Sequence, residues 1–149
     1  MIVLHPLFNP LDIIELLVKD DIYKDCFKSE DIYREHIDFK HHLWFQVIKD
    51  HKSIGIIWLT DFTHNCVTFH GGLFKEFRGI NTPSILKECL ANIKTLAPHL
   101  TLFTTVLQTN QKALNLMNQL DFKKIMTIPN GASNTDLIVY GESGVIING

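Results

Sequence analysis

Apolar residues recur along this chain in two rhythms, and the change from one to the other divides it into elements. Ile13, Ile14, Leu17 and Val18 fall at helical spacing. Ahead of them Asn9-Pro10 supplies an N-cap and a first-turn proline, with Asp12 near the positive helix end. Ile2 to Leu4 predicts a short first strand closed by His5-Pro6, and a second short helix is expected from Ser29, with Glu30 and Asp31 in its first turn. From Leu43 the period shortens. Leu43 to Ile48 and Ile54 to Leu59 read as strands rich in aromatic and β-branched residues, joined by the turn Asp50-His51-Lys52. A polar turn over Asp61 to Asn65 leads into a third consecutive strand, Val67 to Phe74.

Helical spacing then returns. Thr82-Pro83 reads as an N-cap and first-turn proline; Ile85, Leu86, Cys89, Leu90, Ile93 and Leu96 form the apolar face, and Pro98 stops the helix. Leu102 to Leu107 predicts a strand, and a helix after Asn110 carries Ala113, Leu114, Leu116, Met117 and Leu120. Phe122 to Ile128 and Asp136 to Tyr140 are the last strands, separated by the turn-rich Pro129 to Asn134. The resulting order is β-α-α-β-β-β-α-β-α-β-β, a single α/β domain over residues 1–149 around a mixed sheet, with about 141–149 expected as a mobile tail.

Composition narrows the function classes. A formal net charge of -2 over 149 residues, without a dense basic stretch, argues against a general nucleic-acid or membrane-surface binder. The N-terminus lacks the charged start of a signal peptide, and no apolar run approaches the roughly 20 residues of a membrane span. Cys26, Cys66 and Cys89 lie far apart within apolar patterns, which reads as free thiols in a reducing, cytosolic compartment. His64, Cys66 and His70 alternate along one strand, but a zinc site would want a further ligand from elsewhere, and no metal is expected. No Ser-His-Asp arrangement, Walker loop or GxGxxG fingerprint is present.

Four local stretches carry a family likeness. Ser53 to Leu59 looks like an "xhGhhxL" strand; Lys75-Glu76-Phe77-Arg78-Gly79 looks like "PEYRG"; Asn110-Gln111-Lys112-Ala113 looks like "NxxA"; Leu120-Asp121-Phe122-Lys123-Lys124 looks like "LGFxx". In this order and spacing they resemble the GNAT superfamily, N-acetyltransferases that use acetyl-CoA. The resemblance implies a mixed, mostly antiparallel sheet with splayed central strands and about four helices. The backbone of Gly72, Leu73 and Phe74 would then lie along the pantetheine arm of acetyl-CoA, with the Leu73 amide polarising the thioester carbonyl. Amides of Arg78, Gly79, Ile80, Asn81, Thr82 and Ser84, with the dipole of the following helix, would hold the pyrophosphate. Asn110 would cap the next helix and contact the pantetheine region. His70, three residues before Leu73, is the candidate general base.

The chain departs from the family pattern at four positions. Asn81 and Pro83 stand where the loop wants small residues; Asn tolerates positive φ, whereas Pro83 has no N–H to offer a phosphate. Met117 occupies the position of the tyrosine that protonates the leaving thiolate in many GNAT enzymes, and Asp121 replaces the glycine of "LGF". Two readings follow. One is an acyl-CoA-dependent N-acyltransferase acting on a small-molecule or protein amine. The other is a GNAT-like domain without catalysis, used for binding or assembly with a protein partner, of the kind that phages encode among structural or morphogenesis genes. Pairing of late strands would permit a homodimer.

Overall fold

The computed structural model describes residues 1–22, 37–132 and 134–142. Seven strands form one sheet in the order β1-β2-β3-β4-β5-β7-β6: β1 Ile2–Leu7, β2 Leu43–Lys49, β3 Lys52–Thr63, β4 Cys66–Leu73, β5 Thr101–Leu107, β6 Lys123–Ala132 and β7 Thr135–Gly141. Three α-helices accompany them among the described residues: α1 Pro10–Val18, α2 Thr82–Leu96 and α3 Gln111–Gln119. The helix expected from Ser29 lies outside the described residues, as do Cys26 and the chain beyond Glu142. Every neighbouring pair of strands is antiparallel except β4 and β5, which run parallel.

β3 explains why its sequence reads as a continuous apolar run. From Ile54 to Thr60 every residue is buried, because the strand is central and covered on both faces. On one face Ile57 and Leu59 join Val67, Phe69 and Leu73 of β4 under Ile85, Cys89 and Ile93 of α2 and Met117 of α3. On the other, Ile56 and Trp58 join Trp44 and Phe74 under Ile13 and Leu17 of α1. Gly55 is needed for close approach of β3 to β4: a Cβ there would lie 2.4 Å from the Gly72 carbonyl oxygen.

Several boundaries differ from the sequence expectation for identifiable reasons. β1 continues through His5 and Pro6 to Leu7; as an edge strand it tolerates a residue without an N–H. β3 runs on to Thr63 through an irregularity between Thr60 and Thr63, so Asp61 to Asn65 is only partly a turn. β6 likewise extends through Pro129 to Ala132 across an irregularity after Ile128. The start of the expected mobile tail is anchored: Gly141 belongs to β7, and the Glu142 N–H donates to the Leu102 carbonyl at 3.1 Å. Glu142 also pairs with Lys94 at 3.0 Å.

Candidate active site

The site is built on a strand with two unlike edges. On one edge β4 pairs with β3 from Cys66 to Leu73, and the Phe74 N–H continues the ladder to the Ile54 carbonyl at 2.9 Å. On the other edge β4 meets β5 only at Cys66↔Thr101, Val67↔Leu102 and Thr68↔Phe103, after which the strands diverge. The Thr104 hydroxyl closes the apex of this gap by donating to the Phe69 carbonyl at 2.9 Å.

Backbone groups alternate along an antiparallel ladder, so the Phe74 bond to Ile54 fixes the parity of the strand. The N–H groups of Gly71 and Leu73 face away from β3, into the gap. Phe74 is the exception to the expectation for this segment: its amide is committed to β3 and its fully buried ring belongs to the α1-side core. The Leu73 carbonyl, also on the gap side, accepts from Arg78 Nε at 2.6 Å. The peptide between Leu73 and Phe74 is thus held at both ends, by Ile54 and by Arg78.

After Phe74 a short 3-10 turn, Lys75–Phe77, leads into the loop before α2. Its amides divide into two sets. Those of Arg78, Gly79 and Thr82 are satisfied locally, by the Lys75 carbonyl, the Thr82 hydroxyl and the Gly79 carbonyl. Those of Ile80, Asn81 and Ser84 have no acceptor among the described residues. Gly79 sits at φ 144, a conformation that L side chains rarely adopt. Asn81 has φ -88, so it does not stand in for glycine through positive φ. It is also the N-cap of α2, displacing Thr82 to the first helical position; the Thr82 hydroxyl instead pins Gly79 at 2.8 Å. Three uncommitted N–H groups therefore gather at the positive end of a 15-residue helix, an arrangement suited to an anion.

The α1 side of β4 carries His70. Its ring stacks on Trp58 at 5.6 Å between centroids, and Trp58 stacks on Trp44 at 5.1 Å; the three are register partners on adjacent strands. Both tryptophans are buried sheet-face residues, as their paired strands suggest. His70 Nε2 lies 3.1 Å from Thr60 Oγ1, whose hydroxyl donates to Asp61 Oδ2 at 3.0 Å. That chain makes Nε2 the protonated nitrogen and leaves Nδ1 as acceptor. Burial pushes the His70 pKa down to about 4; Asp61 opposes this, and His42 adds to it. The imidazole is neutral at physiological pH and a weak base.

Other expected residues fall as follows. Asn110 caps α3, its Oδ1 accepting from the Ala113 N–H at 3.2 Å. Met117 is buried in the core under α3, so the helix offers no acid at that position. Asp121 adopts φ 62, the left-handed conformation that its glycine-like position demands. Glu76 is exposed. Among the described residues no three His, Cys, Asp or Glu side chains come together to hold a metal. Burial pushes the Cys89 thiol up to about 12, leaving it inert.

Contacts made by five residues escaped the sequence reading. Thr60, Asp61 and Thr104 act through strand pairing, which local sequence does not encode. The Lys19-Asp20 step reads as a solvated helix end, yet Asp20 Oδ2 accepts from the Lys75 N–H at 2.7 Å and Lys19 lies 4.1 Å over the Phe74 ring. These contacts tie the end of α1 to the junction of β4 and its loop.

The sequence matches no protein-family model and no curated protein. Solved structures do match. The aminoglycoside acetyltransferase AAC(6')-Ib, in complex with coenzyme A and kanamycin, superimposes with a TM-score of 0.72 over 95% of this chain and 94% of its own, at 11% identity. A mutant of the spermidine N-acetyltransferase SpeG from Vibrio cholerae gives 0.70 over 94% of each chain at 19% identity. The ribosomal-protein-S5-alanine acetyltransferase from Vibrio fischeri gives 0.59 at 15% identity, covering 68% of this chain and 61% of that one. The diverging β4–β5 pair, the loop at the head of α2 and these superpositions agree: the chain has the fold of the GNAT acetyltransferases.

Proposed function

We propose that the protein is an acyl-CoA-dependent N-acyltransferase that moves an acetyl group from acetyl-CoA to an amine. The observation that carries this reading is the open edge of β4, where the Leu73 N–H faces the gap and its peptide neighbours are fixed by Ile54 and Arg78. A donor held in place before reaction can polarise a thioester carbonyl without reorganisation, an effect of about 100- to 1,000-fold per donor. The uncommitted amides of Ile80, Asn81 and Ser84, with Arg78 and the α2 dipole, fit a pyrophosphate at the far end of the same strand-loop-helix unit. Acetyl-CoA supplies the activated acyl group as co-substrate, and Asn110 Nδ2 remains available to the pantetheine region after Oδ1 has capped α3.

His70 Nδ1 is positioned by the Thr60–Asp61 chain to take the proton released as the amine forms its new bond to the acyl carbon, and Asp61 offsets the resulting imidazolium. With a pKa of about 4 this is a modest base, so water shares the role. The thiolate leaves without a side-chain acid on α3, because Met117 lies in the core. CoA thiolate is a fair leaving group, and turnover does not require one.

The second reading, a GNAT-like domain that binds or assembles without catalysis, is favoured by Met117 and by Pro83, which removes one phosphate donor. Calorimetric titration with acetyl-CoA and with CoA separates the two. Binding of both, with acetyl transfer to a polyamine or aminoglycoside panel, is expected; absence of heat and of thermal shift at millimolar ligand leaves only the non-catalytic domain. Reaction in the cytosol and a homodimeric state belong to the same proposal.

A further inference from the structure

Leu73, Phe74 and Lys75 join the open edge of β4 to the loop before α2, and their backbone groups are bonded almost without exception. The Leu73 carbonyl accepts from Arg78 Nε, and the Phe74 N–H donates to Ile54. The carbonyls of Phe74 and Lys75 accept from the N–H groups of Phe77 and Arg78, at 2.9 Å and 3.2 Å, which closes the Lys75–Phe77 turn. The Lys75 N–H donates to Asp20 Oδ2 at 2.7 Å. That leaves the Leu73 N–H, which faces the gap.

Asp20 differs from the other partners. It lies 55 residues away in sequence, in the short turn Lys19–Asp21 that follows α1. Phe74 supplies no side-chain cap to the Lys75–Phe77 turn, so the Asp20 carboxylate caps it from another element. Asp20 also stands at φ 56, ψ 25, a conformation that is strained for most L residues. Strain at a residue whose side chain makes a long-range bond points to a use for that bond. The element that carries it is firmly seated: Ile13 and Leu17 of α1 are fully buried with Phe74, and Lys19 lies over the Phe74 ring.

We infer that Asp20 is a positioning residue for acyl transfer. Its carboxylate fixes the N–H of Lys75, whose carbonyl receives the Arg78 N–H, so the start and end of the turn are set together. The turn places the Arg78 side chain on the Leu73 carbonyl, and that contact sets the aim of the Leu73 N–H. Asp20 thus acts through Lys75 and Arg78, not on the substrate. The inference rests on the acyltransferase reading, since without a thioester that N–H has no carbonyl to polarise.

Asp20→Gly accepts the φ of 56 without strain and deletes the acceptor, whereas Asp20→Asn keeps both. In ligand-free ¹H–¹⁵N spectra Asp20→Gly should move the Lys75 amide upfield and shift the Arg78 Nε–H and Leu73 amide signals with it. Asp20→Asn should leave those last two in place. Turnover is then measured with acetyl-CoA and whichever polyamine or aminoglycoside reacts fastest. Asp20→Gly should lower kcat by about tenfold, as a misaimed but intact donor would. The KM for acetyl-CoA should stay within about threefold, because the amides at the head of α2 lie beyond the turn. Asp20→Asn should restore kcat. In a Lys75→Pro background, which has no N–H at that position, Asp20→Gly should change kcat by less than about twofold. Phe74, at φ -64 and ψ 150, accommodates a following proline.

The inference is overturned by Arg78 and Leu73 signals that Asp20→Gly leaves in place, by a loss of kcat that Asp20→Asn does not restore, or by an equal loss in both backgrounds. A parent protein that binds no acetyl-CoA overturns the acyltransferase reading instead; the ligand-free spectra still decide whether Asp20 sets the Leu73 peptide.

Discussion

The two edges of β4 share one sequence and have opposite fates. Toward β3 the strand is paired along its whole length, and Gly55 lets the two backbones close to a distance that no side chain permits. Toward β5 it is paired at only three positions before the strands part. The paired edge supplies rigidity, and the parted edge supplies backbone donors with nothing to bond. A free donor becomes useful for catalysis when its neighbours hold it still, and here Ile54 and Arg78 do so from either side of the Leu73–Phe74 peptide.

The comparison is tested most severely on the open edge. Arg78→Glu or Gly79→Pro should reduce CoA affinity by about 100-fold or more: the first places like charge against phosphate, and the second imposes a φ near −65° where the loop requires 144. Unchanged affinity in both, measured by calorimetry, would show that this loop is not the phosphate site. Leu73→Pro should lower kcat by about 100- to 1,000-fold while leaving CoA affinity within a few-fold. Because Leu73 faces Gly55 in a position without ladder hydrogen bonds, the proline removes no bond to β3. A kcat that survives this change would remove Leu73 from the mechanism.

On the paired edge the expected effect is on stability. Gly55→Ala should cost about 1–3 kcal/mol in denaturant unfolding, since its Cβ meets the backbone of Gly72. Pro83→Ala returns one amide to the α2 terminus and should tighten CoA binding by roughly threefold. His70 is read out through pH. Its pKa is about 4 in the folded protein against 6.5 ordinarily, so between these values the unfolded chain binds the extra proton. Stability is therefore full above about 6.5 and falls as the pH drops toward 4; His70→Phe should flatten that decline. The kcat/KM profile should show no inflection from His70 near 6.5.

What the sequence disclosed was local. The Asn9 cap, the first-turn prolines Pro10 and Pro83 and the apolar face of α2 follow from residue type and spacing, and the cap at Asn110 from the family resemblance. What it withheld depends on register. Sequence alone does not tell which of Leu73 and Phe74 turns its amide to the gap, because one bond to Ile54 sets the parity of the strand. The Thr60–Asp61 support of His70 was hidden for the same reason, since Asp61 looks like a turn residue until β3 is seen to continue to Thr63. At α2 the error was a single residue: Thr82 has the chemistry of a cap, yet its hydroxyl serves Gly79 while Asn81 takes the cap position.

The most direct test of the central claim is a backbone amide titration with CoA, followed by ¹H–¹⁵N correlation spectra. The account predicts large, saturable shifts at Gly71, Leu73, Ile80, Asn81 and Ser84, and small ones at His70, Gly72 and Phe74, which face β3 on the same stretch of strand. Equal movement on both edges of β4, or none on either, would contradict it.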